Sequence, residues 1–191
     1  VVTTPMKEHQ RYFPVSKEGK LLPYFIAVRN GDKHAIDIVK AGNEKVLEAR
    51  LADALFFYDE DIKKPLESFV ENLKTVVFQA KLGTVYDKTL RIEKLAQDIV
   101  ETLDEKEILN DTLRAAKLCK ADLVTNMVFE FTELQGVMGR EYAKVGGEND
   151  AVAQAIFEHY LPRFAGDILP QTQEGVALSI ADKLDSIAGF F

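Results

Sequence analysis

The strongest constraint on the fold is the helical spacing of apolar residues from Lys88 onward. In the first such segment they recur every three or four positions and so share one side of a helix: Ile92, Leu95, Ala96, Ile99, Val100 and Leu103. Asp104 ends that segment, and helical spacing resumes from Glu105 to Val128. The sequence therefore predicts two long helices here, within a fold that is mainly α.

A small β element is predicted before the helices. Residues 11–15 and 21–29 are extended segments separated by a polar gap, residues 16–20, whose single glycine suits a hairpin. Each segment contains a proline, Pro14 or Pro23, which removes a backbone donor. We therefore expect edge or bulged strands in an α+β arrangement dominated by helix.

Helices are also predicted on both sides of the central segments. A first helix over residues 35–40 is expected to be interrupted by Gly42-Asn43 and followed by another over residues 46–57. In the last helix the predicted buried face is apolar and Asp182 and Asp185 flank it. That face consists of Ala177, Ile180, Ala181, Leu184, Ile187, Ala188 and Phe191.

Polar chemistry lies beside an apolar helix face in residues 115–139. Cys119-Lys120 occupies a gap in the apolar stripe, and Asp122 follows two residues later. One interpretation is the remnant of an active or ligand site. The other makes Cys119 a small core residue, Lys120 a side chain that reaches solvent along its stem, and Asp122 an exposed residue. Spacing alone favours the second interpretation.

Composition and charge exclude several classes of protein. A single cysteine excludes a disulfide framework and a cysteine metal cluster, and no apolar run reaches transmembrane length. Residues 1–90 carry 14 Lys and Arg against 13 Asp and Glu, whereas residues 91–191 carry 10 against 18. The acidic excess argues against indiscriminate nucleic-acid binding but leaves a local basic patch open. We expect a cytoplasmic protein without a membrane partner.

The order of the helices resembles the HD-type phosphohydrolases, which use a His, a His-Asp pair and a distant Asp around a divalent metal. In this alignment Lys94 or a neighbour replaces the first histidine, Cys119-Lys120 replaces the His-Asp pair, and Asp182 is kept. An ammonium group would repel a metal, so a metal-free, degenerate HD-like module is predicted. The alternative is a metal-dependent HD-type nucleotide phosphohydrolase.

Five runs of residues together resemble the beta subunit of the bacterial two-subunit glycyl-tRNA synthetase. They are KEHQRYF (7–13), GNEKVLEARLADA (42–54), LCKADL (118–123), ELQGVMG (133–139) and ADKLD (181–185). They occur in the family's order and cover nearly the whole chain. The resemblance implies an internal piece of a much longer subunit, which agrees with the β-branched start, residues 1–5, that predicts a strand with an upstream partner.

The resemblance also implies the domain organisation. Residues 1–82 would be the hairpin and helices that end an upstream body domain, and residues 83–191 a helical, degenerate HD-like domain truncated at its C-terminus. In this family the alpha subunit activates glycine with ATP and Mg²⁺, and the beta subunit supplies tRNA recognition and scaffolding in a heterotetramer. The chain alone is therefore expected to be catalytically silent and to bind no cofactor or metal.

Residue-level tRNA contacts do not transfer from the family. We nominate five basic residues as candidates for contacts with the phosphates of tRNA(Gly): Lys7, Arg11, Lys81, Lys88 and Arg91. An alternative role for the helices is to hold the alpha subunit or a second beta subunit, with the glycine-rich segment 136–147 as a contact. The sequence does not rank these roles.

Overall fold

The computed structural model describes residues 3–191 and confirms a mainly α fold with a small N-terminal hairpin. The strands are β1 (Phe13–Lys17), β2 (Lys20–Ile26), β3 (Val77–Gln79) and β4 (Gly83–Thr84). The α-helices are α1 (Ile36–Asp61), α2 (Val85–Thr102), α3 (Leu109–Leu118), α4 (Asn126–Glu130), α5 (Val137–Val145), α6 (Asp150–Glu158) and α7 (Gln173–Phe190). A π-helix covers Pro5–His9, and 3₁₀ helices cover Leu66–Thr75, Lys106–Ile108, Ala121–Val124 and Thr132–Leu134.

The chain separates into two compact units. The first ends at Glu60 and the second spans Asp61–Phe191. The predicted domain boundary between residues 82 and 83 lies inside the second unit, where the 3₁₀ helix Leu66–Thr75 packs against α2. Whether residues 82 and 83 separate two domains in the full-length proteins of the family stays a prediction.

The first unit contains the predicted hairpin. Strands β1 and β2 pair antiparallel, and their register shifts between Pro14 and Ser16, which confirms the expected irregularity. Glu18 and Gly19 both have positive φ, 52° and 77°, as the tightest hairpin turns require. One face of this hairpin packs on α1 around a small buried cluster of Met6, Tyr12 and Leu47.

Two local predictions in the first unit are wrong. In the strand predicted for residues 1–5, Thr3 and Thr4 are helical rather than extended. Val1 and Val2 of that prediction lie outside the described residues. Helix α1 also runs through Gly42-Asn43 without interruption. A lone glycine costs a helix only about 1 kcal/mol, and the Tyr12 hydroxyl binds Asn43 Oδ1 at 3.1 Å.

The predicted long helix over residues 105–128 is broken. Helix α3 ends at Leu118, a 3₁₀ turn follows, and Thr125 caps α4 by accepting a hydrogen bond from the Val128 amide at 3.4 Å. The break lets Asp122 turn inward to bind the backbone at the start of α5. Helical spacing is retained across the break, so the sequence pattern did not reveal it.

The core of the second unit lies where α2, α3, α6 and α7 pack together. Its fully buried side chains include Ile92, Leu118, Ile156 and Leu178. The predicted buried face of α7 is wrong in part, because several of its apolar residues are exposed: Ile180 at 41%, Leu184 at 45% and Ile187 at 58%. Ala177 and Ala181 are buried as predicted, and the buried side also includes Leu178 and Asp185, which brings the carboxylates of α7 toward α2 and the end of α3.

Candidate functional site

The polar residues of the HD-like position form a buried ion-pair network. Lys88 lies in the first turns of α2, which begins with a capping box between Thr84 and Asp87. Although Lys88 is only 4% exposed, its Nζ lies 2.9 Å from Asp182 Oδ1 and 3.0 Å from Asp185 Oδ2. Helices α2 and α7 are thereby joined by charge as well as by apolar packing.

Lys120, from a third part of the chain, binds the carboxylate of Asp182 as well. It follows the end of α3, and its Nζ lies 3.0 Å from Asp182 Oδ2 and 4.2 Å from the centre of the Tyr160 ring. The prediction that Lys120 reaches solvent is therefore wrong, because its side chain is only 6% exposed. Its ammonium group is stabilised by a carboxylate and an aromatic face.

Asp182 is the centre of the network because each of its oxygens faces a different lysine. Burial raises the pKa of Asp182, but the charges of Lys120 and Lys88 outweigh burial and hold that pKa below its ordinary value. Burial likewise opposes ionisation of Asp185, and hydrogen bonds from Arg91 and Lys88 lower its pKa. Both carboxylates are therefore ionised at neutral pH.

Cys119 behaves as the core residue that the second interpretation described. It is 0% exposed, and its Sγ donates to the Ala116 carbonyl at 3.2 Å. Burial raises the pKa of the Cys119 thiol to about 12. A thiol that stays protonated is neither a nucleophile nor a metal ligand at neutral pH.

These residues do not fit the metal centre of an HD-type phosphohydrolase. Two ammonium groups already contact Asp182, and they would repel a divalent cation. Among the described residues, no group of three or more His, Cys, Asp or Glu is placed to hold a metal. Lys94, the residue aligned with the first histidine, is exposed, and the lysine of α2 that reaches Asp182 is Lys88, which the alignment did not select. The phosphohydrolase alternative is not supported.

Asp122 is fully buried, which corrects the prediction that it is exposed. Its Oδ2 accepts hydrogen bonds from the amides of Gly136 at 2.6 Å and Gly139 at 3.0 Å. Burial raises the pKa of Asp122 to about 6, even though these two amides favour the ionised form. Asp122 therefore ties the start of α5 to the break after α3.

Gly136 is required where this segment passes α6. Its φ is +76°, and a Cβ built there would lie 2.6 Å from Tyr160 Cδ2. The rings of His159 and Tyr160 have their centres 3.8 Å apart with their planes tilted by 43°, and His159 Nδ1 lies 2.5 Å from the Ile156 carbonyl. Burial, with the nearby Lys120 charge, lowers the pKa of His159 well below its ordinary value, so the imidazole is neutral.

Comparison with known proteins identifies the family. The family model of the glycyl-tRNA synthetase beta subunit matches residues 1–191, the whole length of the chain. The chain belongs to the glycyl-tRNA synthetase beta subunit family.

Curated relatives named glycine-tRNA ligase beta subunit match the chain over its full length. The identity is 78% for a relative from Clostridioides difficile, 62% for one from Desulforamulus reducens and 58% for one from Desulfitobacterium hafniense strain Y51. In each case the alignment covers 100% of this chain and 28% of the relative. The chain thus spans just over a quarter of the length of these relatives.

In this member of the glycyl-tRNA synthetase beta subunit family, the five nominated tRNA contacts differ in accessibility. Lys7 and Arg11 are exposed in the first unit, and Lys81 is exposed near the β3–β4 turn in the second. Lys88 is buried and bound to two carboxylates, so a phosphate cannot reach it in this conformation and we drop it from the candidates.

Arg91 is accessible but already has a partner. Its side chain is 36% exposed, and its Nε lies 2.5 Å from Asp185 Oδ1 while its Nη1 donates to the Leu82 carbonyl at 2.9 Å. Arg91 therefore positions the start of α2 against α7. It could approach a phosphate only with its remaining exposed surface.

Asp61 is a structural residue that the sequence interpretation missed. Asp61 is the last of three consecutive acidic residues, Asp59-Glu60-Asp61, at the end of α1, and it is 2% exposed. Its carboxylate accepts from both the backbone and side-chain amides of Asn126, from the Met127 amide and from the Tyr142 hydroxyl, at 2.8–3.0 Å. No local signal separates Asp61 from its two acidic neighbours, because the donors lie more than 60 residues away.

Proposed function

We propose that this chain is a tRNA-recognition and subunit-scaffolding portion of a glycyl-tRNA synthetase beta subunit. It would serve the ATP-dependent charging of tRNA with glycine without carrying the aminoacylation site itself. The observation that supports this function is the family match over residues 1–191, together with relatives whose printed names are those of a glycine-tRNA ligase subunit.

The buried network supports a scaffolding role for the second unit. Lys88, Lys120, Asp182 and Asp185 neutralise one another across α2, the end of α3 and α7. Groups that are buried and paired in this way stabilise a specific helix arrangement but are not available to activate a substrate. The chemistry of glycine activation, with its ATP and Mg²⁺, is then assigned to the alpha subunit.

The proposed partners are the alpha subunit, in a heterotetramer, and tRNA(Gly). None of the helices in the described part of the chain is long and apolar enough to span a membrane. A cytoplasmic location, where tRNA charging takes place, is part of the proposal. Contact with the alpha subunit or with a second beta subunit through residues 136–147 remains an alternative use of α5, which occupies most of that segment.

The exposed residues Lys7, Arg11 and Lys81 are the proposed phosphate contacts. Lysine and arginine at a surface neutralise phosphates without reading bases, so they would position the tRNA rather than select it. The chain has a net charge of −7, and its acidic excess lies after residue 90. All three candidates therefore lie in the less acidic part of the sequence.

The test is tRNA(Gly) binding by the reconstituted two-subunit enzyme as a function of salt. Lys81→Ala should weaken binding and reduce the slope of log K against log salt by about 1, because one phosphate contact is lost. Lys106→Ala is the matched control, since Lys106 is 77% exposed and is not a nominated contact. Unchanged slopes for Lys7→Ala, Arg11→Ala and Lys81→Ala would refute the contacts.

Catalytic silence is tested separately. The isolated chain, supplied with glycine, ATP, Mg²⁺ and tRNA(Gly), should form no glycyl-tRNA, whereas the full-length beta subunit with the alpha subunit should do so. Glycylation by the isolated chain would show that an aminoacylation site lies within these 191 residues.

A further inference from the structure

The β1–β2 hairpin is apolar on both of its faces. On the inner face, Phe25 and Ala27 pack against the buried cluster of Met6, Tyr12 and Leu47. The rings of Tyr12 and Phe25 stack with their centres 4.8 Å apart. This face accounts for the contact between the hairpin and α1.

The outer face carries large apolar side chains that are exposed. Ile26 follows Phe25 along β2 and so lies on the opposite side of the sheet, at 55% exposure, and Tyr24, beside the register shift, is 67% exposed. Phe13 is the cross-strand partner of Ile26, shares its face and is 59% exposed. Val28, two residues beyond Ile26, is 79% exposed. These four residues define what we call the outer apolar face.

Such a face does not suit a sheet that meets water on one side. A half-solvated antiparallel sheet alternates apolar residues inward with polar residues outward. The sequence of β2, KLLPYFI, is instead that of a strand buried on both faces.

We propose that the outer apolar face packs against another segment of the same polypeptide in the full-length beta subunit. The chain spans 28% of the length of its relatives, so most of the polypeptide in those proteins lies outside these residues. A segment on the same polypeptide has a high effective concentration at the hairpin, which favours it over a separate molecule. The occupant is an apolar layer that covers Phe13, Tyr24 and Ile26. This inference depends on family membership and not on the proposed tRNA contacts.

Hydrogen exchange tests the proposal. The protein is compared as the isolated chain and within the full-length Clostridioides difficile relative, where it replaces the matching 28% of that subunit. Amides of residues 12–28 should exchange at least about tenfold more slowly in the full-length protein, because a covered hairpin opens less often.

Substitutions on the outer apolar face provide the second arm. Tyr24→Lys together with Ile26→Lys should return the exchange of the hairpin in the full-length protein to the rate of the isolated chain. The same pair should change that rate little in the isolated chain, where both side chains are exposed. Ile38→Lys, at a residue of α1 that is 75% exposed, is the control and should leave the protection in place.

Two results would overturn the proposal. One is equal exchange of residues 12–28 in the two proteins. The other is concentration-dependent dimerisation of the full-length protein that Tyr24→Lys abolishes together with the protection of the hairpin, because the occupant would then be a second copy.

Discussion

Removal of the Asp182 carboxylate should destabilise the second unit strongly. In Asp182→Ala, Lys88 keeps Asp185 as a partner at 3.0 Å. Lys120 has no other carboxylate partner among the described residues and would keep only the Tyr160 ring at 4.2 Å, with its side chain 6% exposed. Removing one partner of a buried ion pair typically costs about 3–5 kcal/mol. We expect a loss of that size in the free energy of unfolding.

Urea unfolding followed by far-ultraviolet circular dichroism measures this loss. A double-mutant cycle pairs Asp182→Ala with Lys120→Met. Methionine is chosen because it keeps much of the apolar stem of lysine and removes the buried charge. The double variant Lys120→Met/Asp182→Ala should be more stable than Asp182→Ala by at least about 1 kcal/mol, since no unpaired ammonium remains at residue 120. Glu71→Ala, which breaks an exposed pair with Lys74, is the control and should change stability little.

The outcome that contradicts this reasoning is specific. If Asp182→Ala costs less than about 1 kcal/mol, the lysines must find solvent or other partners and the network does not hold the helices. The same conclusion follows if the double variant loses the sum of the two single losses, because the two residues would then be uncoupled.

Three further predictions concern buried groups. Burial in the folded state raises the pKa of Asp122 from 3.8 to about 6, so ionisation of Asp122 destabilises the folded state. The folded state is therefore most stable below about pH 3.8, where Asp122 is protonated, and it loses that stability as the pH rises through about 6. Relative to Asp122→Asn, the protein should therefore lose on the order of 3 kcal/mol between about pH 4 and pH 7 in urea titrations; parallel curves would contradict this. Asp61→Ala removes the acceptor of four hydrogen bonds and should cost about 3 kcal/mol in the same assay, and a loss below about 1 kcal/mol would show that water replaces it. Cys119, with burial raising its pKa to about 12, should react with a thiol reagent at pH 8 only after urea unfolds the protein, and rapid labelling of the folded protein would refute its burial.

Local patterns predicted the elements whose signals are contained in a few consecutive residues. The polar gap at residues 16–20 predicted the β1–β2 hairpin, and the apolar stripe from Ile92 to Leu103 predicted most of α2. The same kind of pattern failed for residues 105–128, because helical spacing continues across the break after Leu118. The spacing of apolar residues does not show that the Asp122 carboxylate binds the backbone of Gly136 and Gly139.

Some residues of the candidate site were also predicted from the sequence, and others were not. Alignment with the HD pattern selected Cys119, Lys120 and Asp182, and the structure brings these residues together. It also selected Lys94 or a neighbour on α2, but Lys94 is exposed and the lysine that reaches Asp182 is Lys88, which the alignment did not select. The roles of Asp61 and Asp122 were missed because their hydrogen-bond donors lie elsewhere in the sequence, at the start of α4 and in Tyr142 for Asp61 and at the start of α5 for Asp122.

The sequence by itself determined the family, the mainly helical class and the hairpin, because each follows from the order or spacing of residues along the chain. The tertiary structure decided which side of α7 is buried, which basic residues are accessible and which charges neutralise one another. Helix α7 has apolar residues on more than one side, so periodicity allowed several faces. The side that is buried in the structure also carries two carboxylates that meet lysines from α2 and from the end of α3, which is a property of the packed molecule and not of the segment.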